Sequence, residues 1–445
     1  MTISVWLDER SGDENARVQT VEADLAIIGG GIIGAAAAYY ANRLGIKNIV
    51  LLEAGKIAAG ASGRNGGFVL RGIHTYYDAC VSQYGREAAA HVYKFGEENQ
   101  RLIRAFIEEH KVDIDYDPCG SYLLASSLEE LDELSRSAKL MLEDGFQVRL
   151  CGEDPVDRGF YGALYNSADF GINPVKLVRA LIDLSGARVL AEQPVRRLEV
   201  YTSASPSAGA SVQAGDANSA FALDATRTSG RSAACTKISA TDYTVMAKKV
   251  ILATNAYLPL LEPTFIDRIS PLRGQMFATA PLKKRLIDKI CYANYGWEYF
   301  RQLPDRRLVV GGCRQFFPDE EVGYADMVTR GLQSALEHYM KDHFPELAGT
   351  PIEYRWSGVM AFTADGLPLV GELPHLPGVF FAAGCNGHGL GYGLNLGRLT
   401  AVVSQGEAAA GVFDAARKSA GAQLRPRTGE IEITAGMLAL AEEGP

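Results

Sequence analysis

Apolar runs that end in glycine alternate with amphipathic segments along this chain. Residues 24–29 (DLAIIG) have the apolar pattern of a buried parallel strand, and residues 48–53 (NIVLLE) repeat it. Between them, residues 31–44 (GIIGAAAAYYANRL) are small and helix-favouring, and Gly45 follows where such a helix would end. The pattern therefore predicts a strand–helix–strand unit with a parallel sheet and a right-handed crossover.

Periodicity predicts further elements over the rest of the chain. Amphipathic spacing predicts helices at 85–111, 128–145 and 174–184. Apolar positions predict strands at 188–200, 248–254 and 376–383, and alternation predicts an antiparallel set at 268–325. Residues 203–240 instead contain 22 Ala, Ser or Gly among 38 positions, which predicts a flexible surface insertion because such a segment buries little.

Composition narrows the class of protein. A chain of 445 residues with 47% apolar and 22% charged residues fits a soluble protein of two domains. Its net charge is -9 and no basic run occurs, which argues against a nucleic-acid partner. No run of 18 apolar residues predicts a membrane span. The seven cysteines form no C-x-x-C pair, so we expect no metal site and a cytoplasmic location.

The first strand–helix junction carries a glycine pattern with a chemical purpose. In Gly29-x-Gly31-x-x-Gly34, the first glycine permits a tight turn, the second lets the backbone approach a pyrophosphate, and the third lets helix and strand pack closely. The helix N-terminus would face the phosphates, and Glu53 would accept hydrogen bonds from a ribose. The motif predicts a dinucleotide cofactor, without separating NAD from FAD; the alternative is a turn that binds nothing.

Two more glycine-rich loops add to this prediction. Residues 60–67 (GASGRNGG) offer backbone N–H groups, a hydroxyl and a guanidinium to an anion. Residues 384–389 (GCNGHG) precede a helix whose N-terminus could stabilise negative charge on a bound ring. The alternatives are a flexible loop and an ordinary strand–helix turn.

The order and spacing of these three loops resemble the D-amino-acid-oxidase-like FAD-dependent oxidoreductases. The resemblance runs from about Val5 to Ala401 and includes Pro271–Gln275 (PLRGQ), the ladder 306–312 (RRLVVGG) and the segment Trp356–Pro368. Within the family, Trp6–Asp8 and the glycine loops look most like gamma-glutamylputrescine oxidoreductases. The resemblance implies an α/β, Rossmann-like FAD-binding domain of the glutathione-reductase/D-amino-acid-oxidase type and an α+β substrate domain built on an antiparallel sheet.

The resemblance also implies domain boundaries and cofactor contacts. The FAD domain is expected at 20–78, 165–262 and 352–415, the substrate domain at 79–164 and 263–351, and terminal extensions at 1–19 and 416–445. Val195 is expected beside the adenine. The expected FAD contacts are Gly29, Gly31, Ile32, Ile33, Gly34, Glu53, Ala54, Gly60, Ala61, Ser62, Arg64, Asn65, Gly66, Gly67, Val195, Thr254, Asn255, Gly358, Gly384, Gly387, His388, Gly389 and Leu390.

Departures from the family pattern bear on substrate and cofactor attachment. Relatives that act on α-amino acids often carry an arginine where this chain has Gly358-Val359-Met360 or Gly387, so we expect an amine without an α-carboxylate. Arg301, Arg314 or Arg71 could supply the charge instead. Relatives with covalent FAD use a cysteine at Gly358 or a histidine at Arg64, so we expect noncovalent FAD. Val309 stands where some relatives have an oxygen-activating lysine, which leaves the acceptor as O2 or another molecule.

These features predict FAD-dependent oxidation of a C–N bond in a small amine. A hydride would pass from the carbon bearing a neutral amine to flavin N5, the imine would hydrolyse to an aldehyde, and the electrons would pass to O2, giving H2O2, or to another acceptor. The alternatives are a D-amino-acid, glycine or sarcosine-type oxidase or dehydrogenase, and a noncatalytic FAD-bearing subunit of a larger complex. Candidate catalytic residues are Trp297, Tyr299, Arg301, Trp356 and His388, with His74 and Tyr76 as further lining residues.

Overall fold

The computed structural model describes residues 18–201, 210–211 and 235–418. In chain order the strands of this part are β1 (Gln19–Ile28), β2 (Ile49–Leu52), β3 (Phe68–Val69), β4 (Ser121–Ala125), β5 (Arg149–Cys151), β6 (Gly162–Asn166), β7 (Phe170–Gly171), β8 (Arg188–Leu190), β9 (Arg197–Tyr201), β10 (Ala210–Ser211), β11 (Cys235–Ser239), β12 (Tyr243–Leu252), β13 (Ser270–Thr279), β14 (Ile290–Ala293), β15 (Glu298–Gln302), β16 (Leu308–Gly312), β17 (Ile352–Phe362), β18 (Leu369–Glu372) and β19 (Val379–Ala383). The α-helices are α1 (Ile32–Arg43), α2 (Tyr77–Tyr84), α3 (Arg86–His110), α4 (Leu128–Glu143), α5 (Pro174–Ser185), α6 (Leu258–Leu261), α7 (Arg330–His343) and α8 (Gly389–Gln405).

The first sheet is centred on β1. Strand β1 pairs in parallel with β2 on one side and β12 on the other, and β8 and β19 extend the parallel set. All four residues of β2 are buried, as a parallel strand covered on both faces requires. The predicted strand–helix–strand unit is confirmed, although β1 begins at Gln19 because its first half pairs with β12.

The second sheet is mainly antiparallel, in the order β17-β13-β16-β15-β14-β4-β6-β5. Side chains alternate between its two faces. Phe277, Phe300 and Val310 pack with α7 in one hydrophobic cluster, whereas Met276 and Tyr299 lie on the opposite face. One face is therefore a sealed core, and the other is free to line a ligand site.

Pairing places β17 differently from the expected domain boundary. The boundary assigned 352–415 to the cofactor domain, yet β17 is hydrogen-bonded to β13 from Ile352 to Phe362. Its residues therefore belong to the second sheet, and the first sheet resumes at β18.

Two glycines bring α8 against α1. A Cβ atom at Gly393 would lie 2.6 Å from Ile32 Cγ2, and one at Gly397 would lie 2.6 Å from the Ala36 Cβ. Real Cβ atoms do not approach so closely, so the contact depends on the missing side chains. The first two turns of α1 are thereby fixed against the second and third turns of α8.

The predicted insertion is corrected at its C-terminal end. Cys235–Ser239 form β11, which pairs with both β9 and β12, and Ala210–Ser211 pair with β9. Residues 202–209 and 212–234 lie outside the described residues, as do 1–17 and 419–445. Among the described helices, none is long and apolar enough to cross a bilayer.

Candidate active site

A cavity of about 1680 Å³ is lined by residues from both sheets. This volume exceeds the roughly 300–1,000 Å³ of ordinary small-molecule pockets. The first sheet contributes the ends of β1 and β2 and the beginnings of α1 and α8, while β13, β15 and β17 contribute from the second sheet. The cavity therefore has room for a dinucleotide and a second, smaller molecule.

The first glycine loop holds an acidic side chain in a fixed orientation. The backbone N–H of Gly30 donates to Glu53 Oε2 at 2.7 Å, and that of Gly55 donates to Oε1 at 2.9 Å. At the start of α1, the N–H of Ile32 donates to Ser62 Oγ at 2.9 Å. Because Glu53 and Ser62 line the cavity while bonded to the backbone, both are preorganised for a ligand.

The polar side chains of the second loop form hydrogen bonds with other groups of the protein. Arg64 donates to the carbonyl of Ala59 at 2.6 Å, to Asp326 Oδ1 at 2.5 Å and to the carbonyl of Ser357 at 3.1 Å. Asn65 donates to the carbonyls of Ala61 and Ser62 and accepts from Gly67. The guanidinium of Arg64, which the sequence analysis expected to contact an anion, is thus already paired with protein groups. Backbone N–H groups of the loop remain available to a ligand.

The third loop turns the chain into α8. Gly384 and Gly387 have φ of 81° and 82°, and Asn386 has φ of 50°, so three residues adopt left-handed conformations. The turn is fixed by Asn386, which donates to the carbonyl of Gly384 at 2.6 Å and accepts from Thr363 at 2.9 Å. Gly389 and Leu390, the first residues of α8, consequently face the cavity.

His388 is a neutral side chain at physiological pH. Burial, with His74 nearby, lowers the pKa of His388 to about 4. Its Nδ1 lies 3.3 Å from the carbonyl oxygen of Asn386. With the proton on Nδ1, the Nε2 atom is left as an acceptor.

Most expected cofactor residues line this one cavity. Those that line it are Gly29, Gly31, Ile32, Ile33, Glu53, Ala54, Gly60, Ala61, Ser62, Arg64, Asn65, Gly66, Val195, Thr254, Asn255, Gly358, Gly387, His388, Gly389 and Leu390. Gly34, Gly67 and Gly384 do not, because they act in backbone packing and turns.

Aromatic side chains form the second-sheet wall. The rings of Tyr292 and Tyr299 stack at 5.4 Å, and Tyr292 lies 6.1 Å from the ring of His388. Burial raises the pKa of Tyr299 to about 12, so its hydroxyl is neutral. Arg314 lies between the rings of Trp297 and Phe362, at 4.8 and 4.9 Å.

Two predicted substrate residues occupy other positions. Arg301 shares a strand face with Tyr299, but its guanidinium lies beneath the second loop and donates to the carbonyl of Gly67 at 2.8 Å. Trp356 donates its indole N–H to the carbonyl of Arg64 at 3.0 Å. Neither side chain lines the cavity, so the structure corrects both assignments from substrate contact to support of the second loop.

Other residues of the site carried no distinct sequence signal. Tyr292, Phe362 and Asp326 line the cavity, and each reaches it through pairing with distant strands or loops. His74 and Tyr76, named as further lining residues, also line it. Within the described ranges, no cluster of His, Cys, Asp or Glu could hold a metal ion.

Comparison with known proteins decides the family. A family model described as FAD dependent oxidoreductase (DAO) matches residues 24–402. The chain belongs to this family. It is therefore an FAD-dependent oxidoreductase.

Individual relatives of this flavoenzyme span nearly the whole chain. The gamma-glutamylputrescine oxidoreductase of Escherichia coli (strain K12) is 28% identical over 88% of this chain and 85% of its own length. Glycine oxidase from Geobacillus kaustophilus has a TM-score of 0.68 at 22% identity, covering 89% of this chain and 97% of its own. L-proline dehydrogenase from P. horikoshii has a TM-score of 0.68 at 20% identity, covering 89% and 97%. The predicted fold class is confirmed.

The residues of the flavoenzyme's cavity fit FAD. Within the described residues, four buried polar atoms of cavity-lining residues lack a hydrogen-bond partner: His74 Nδ1, Thr75 Oγ1, Arg197 Nε and Thr254 Oγ1. Buried polar atoms are rarely left unpaired, so these are positions where a ligand would supply the missing bonds. Together with the fixed Glu53 carboxylate, they suit a polar dinucleotide.

Proposed function

We propose that this flavoenzyme oxidises a C–N bond of a small amine at a carbon that carries no carboxylate, such as the putrescine end of gamma-glutamylputrescine. The observation that carries the proposal is the wall formed by Gly358, Val359, Met360 and Gly387. All four line the cavity, and none brings a positive charge to it. An α-carboxylate held at this wall would have no partner there, and an unpaired buried carboxylate is strongly disfavoured.

The side chains around this wall favour the neutral, reactive form of an amine. Tyr292, Tyr299 and Trp297 give the substrate compartment aromatic walls that exclude water. The Arg314 guanidinium in the same cavity disfavours a second cation such as an ammonium ion. Neutral His388 can accept a hydrogen bond from the amine at Nε2. The neutral hydroxyl of Tyr299 can donate or accept, so the amine is oriented without a charged base.

Bound FAD would supply the two-electron acceptor, and this chain's loops would hold it without a covalent bond. Glu53 would accept from the ribose, and the beginning of α1 would face the pyrophosphate. Val195 would lie near the adenine, and the beginning of α8 near the flavin ring. Neither Gly358 nor Arg64 offers the nucleophile a covalent link requires, so acid precipitation should release all the flavin into the supernatant.

Anaerobic loss of the yellow flavin absorbance tests the proposal. The panel contains gamma-glutamylputrescine, putrescine, other primary and secondary amines, and D- and L-amino acids. Bleaching by an amine whose amine-bearing carbon carries no carboxylate is expected, and readmitted air then shows whether O2 accepts the electrons. Bleaching by α-amino acids alone would overturn the proposal.

A second candidate is oxidation of an α-amino acid. It is favoured by Arg314, a guanidinium that lines the cavity and could pair with an α-carboxylate. The same panel separates the two functions. No bleaching by any compound would instead favour a noncatalytic FAD-bearing subunit.

A further inference from the structure

Two tyrosine rings stack at the solvent-facing border of the cavity, on its substrate side. The rings of Tyr76 and Tyr295 lie 5.2 Å apart at 28° to one another, and both residues line the cavity. His74 and Trp297, each two positions away along the chain, line it as well, and His74 lies close to His388. Tyr76 is buried, whereas Tyr295 is 40% exposed. Packing into a hydrophobic core therefore does not account for the position of the Tyr295 ring.

The turn that carries Tyr295 has an unusual backbone. Asn294, Tyr295 and Gly296 have φ of 49°, 56° and 82°, so three successive residues are left-handed. Glycine adopts this conformation freely, whereas a bulky residue such as tyrosine is strained in it. Glu298 on β15 accepts from the side-chain amide of Asn294 at 3.0 Å, which anchors the start of the turn. Strain of this kind persists only where the surrounding structure holds it, and it is concentrated at ligand sites.

The side chain of Glu130 holds both rings in place. Glu130 is 1% exposed and lies in the first turn of α4. Its Oε1 accepts from the backbone N–H of Tyr295 at 2.8 Å and also from the hydroxyl of Tyr76. Its Oε2 accepts from the backbone N–H of Ser126 at 2.6 Å. A single buried oxygen atom therefore determines where the two rings meet.

The stacked pair is a preorganised contact surface. An aromatic ring offers a large flat area with few rotatable bonds, and a ring already held by the protein loses little freedom when a ligand binds to it. The reacting end of a substrate would lie beside His388 and Tyr299, which are less exposed than Tyr295. The stacked rings are thus placed to meet a part of the substrate that extends from there toward solvent.

We propose that the Tyr76–Tyr295 pair contacts the end of the substrate remote from the oxidised carbon, and that Glu130 is the positioning residue of this pair. The flavoenzyme then selects long, extended amines over short ones. The glutamyl end of gamma-glutamylputrescine is a group of the kind that the pair would contact. This inference rests on the proposed amine oxidation and adds the feature that discriminates between chain lengths.

The experiment uses the full-length holoenzyme and four variants. Tyr295→Ala removes the exposed ring, and Tyr295→Phe keeps the ring without its hydroxyl. Glu130→Gln replaces one accepting oxygen with an NH2 group, which cannot accept a hydrogen bond. The matched control is Tyr354→Ala, because Tyr354 is 56% exposed and has the guanidinium of Arg307 over its ring at 5.0 Å, but does not line the cavity. Flavin content and circular dichroism verify that each variant folds.

The substrates are primary amines of increasing chain length, with putrescine and gamma-glutamylputrescine as a short and a long member of one series. In the wild type, we expect long amines to half-saturate anaerobic flavin reduction at lower concentrations than short ones. Tyr295→Ala should raise this concentration about tenfold for long amines alone, the change expected when about two methylene groups lose an apolar contact. The limiting rate should be retained, because the reacting end is bound elsewhere. Tyr295→Phe and Tyr354→Ala should keep the wild-type values.

Glu130→Gln separates a positioning role from a general structural one. It should raise the half-saturating concentration of long amines by a smaller factor than Tyr295→Ala, with the limiting rate again retained. Combined with Tyr295→Ala it should have little further effect, because the stacked pair no longer exists. A full additional loss in the double variant, or an equal loss for short and long amines, would overturn the positioning role of Glu130.

A similar change for short and long amines in Tyr295→Ala, or no change for either, would overturn the inference while leaving amine oxidation intact. A separate titration follows the flavin spectrum of the oxidised enzyme with acetamide and hexanamide, which need no turnover. Hexanamide should bind more tightly than acetamide to the wild type but not to Tyr295→Ala. If no amine reduces the flavin, the proposed function fails, and this titration still decides the role of the pair, since any other result overturns it.

Discussion

The two sides of the cavity are built by different means. The cofactor side consists of glycine loops and helix beginnings, in which Glu53 and Ser62 are fixed by backbone N–H groups. The substrate side consists of side chains on separate strands, such as Tyr292 on β14 and Tyr299 on β15. Under the proposed function, the cofactor would therefore be bound largely through the main chain, whereas the substrate would be selected by exchangeable side chains.

The largest effect is expected from a substitution that disturbs the main chain on the cofactor side of the cavity. Gly29 has φ of 114°, and a Cβ atom would lie 2.5 Å from the carbonyl oxygen of Ala253. Gly29→Val should weaken FAD binding by about 100-fold or more, because backbone strain and overlap together cost about 3 kcal/mol. The flavin-to-protein ratio after gel filtration measures this.

Gly45→Ala is the matched control. Gly45 also has a positive φ, of 93°, but a Cβ atom there would meet nothing within 4 Å. Its flavin content should stay normal. Equal flavin loss in both variants would show that helix stability, rather than the loop's shape, determines FAD binding.

A change of pH should affect His388, which lies where the cofactor side and the substrate side of the cavity meet. The pKa of His388 is lowered to about 4, whereas a histidine in the unfolded chain titrates near 6.5. The unfolded state therefore binds more protons between these values. The contribution of neutral His388 to the free energy of unfolding should be fully present above about pH 6.5. It should decrease by up to about 3 kcal/mol as the pH falls to about 4.

His388→Asn should flatten this dependence in denaturant titrations between pH 4 and 7. His338→Asn, an exposed position on α7, should retain it. An unchanged slope in His388→Asn would mean that carboxylates account for the acid sensitivity.

Arg301 sharpens the contrast because it sits on a substrate-side strand but contacts the cofactor loop. Arg301→Met removes the hydrogen bond to Gly67 and should lower stability and FAD binding by about 2 kcal/mol, a typical value for a bond from a charged donor. Thermal unfolding and FAD titration of the apoprotein measure both. A selective loss for carboxylated substrates with normal FAD affinity would restore Arg301 to the substrate side.

The smallest effect is expected at two tryptophans. Trp356→Phe removes one hydrogen bond to the second loop and should weaken FAD binding by about 1 kcal/mol, or about fivefold. Trp297→Phe should leave FAD affinity unchanged and alter the half-saturating substrate concentration instead. FAD titration and anaerobic reduction of both variants test this, and identical behaviour would contradict the division between the two sides.

The same division explains what the sequence could predict. The strand–helix–strand unit around Gly29 and Glu53 is local, so a window of about 30 residues contains all its determinants. Most expected cofactor residues consequently line one cavity. The conformational role of Gly34 also follows from its spacing, because a side chain there would overlap the carbonyl of Gly29.

Contacts between residues that are distant along the chain could not be predicted from the sequence. The pairing of Arg64 with Asp326 spans 262 positions, and that of Arg301 with Gly67 spans 234. No periodicity encodes such pairs, so the sequence predicts Arg64 as a cofactor contact and Arg301 as a substrate contact without the protein groups that hold them. Strand β11 was assigned to the insertion for a similar reason, since its partners β9 and β12 determine its structure and its composition does not.

The two faces of the second sheet have a consequence for how this lineage can diversify. Phe300 and Val310 seal the core, while their neighbours Tyr299 and Val309 point the opposite way, and the strands are held by main-chain hydrogen bonds. A mutation at a cavity-lining position of this face, such as Tyr299, can alter which molecule is accepted, while the opposite face keeps the sheet folded. Substrate preference can therefore change by single substitutions at the cavity, because the side chains on the opposite face maintain the fold.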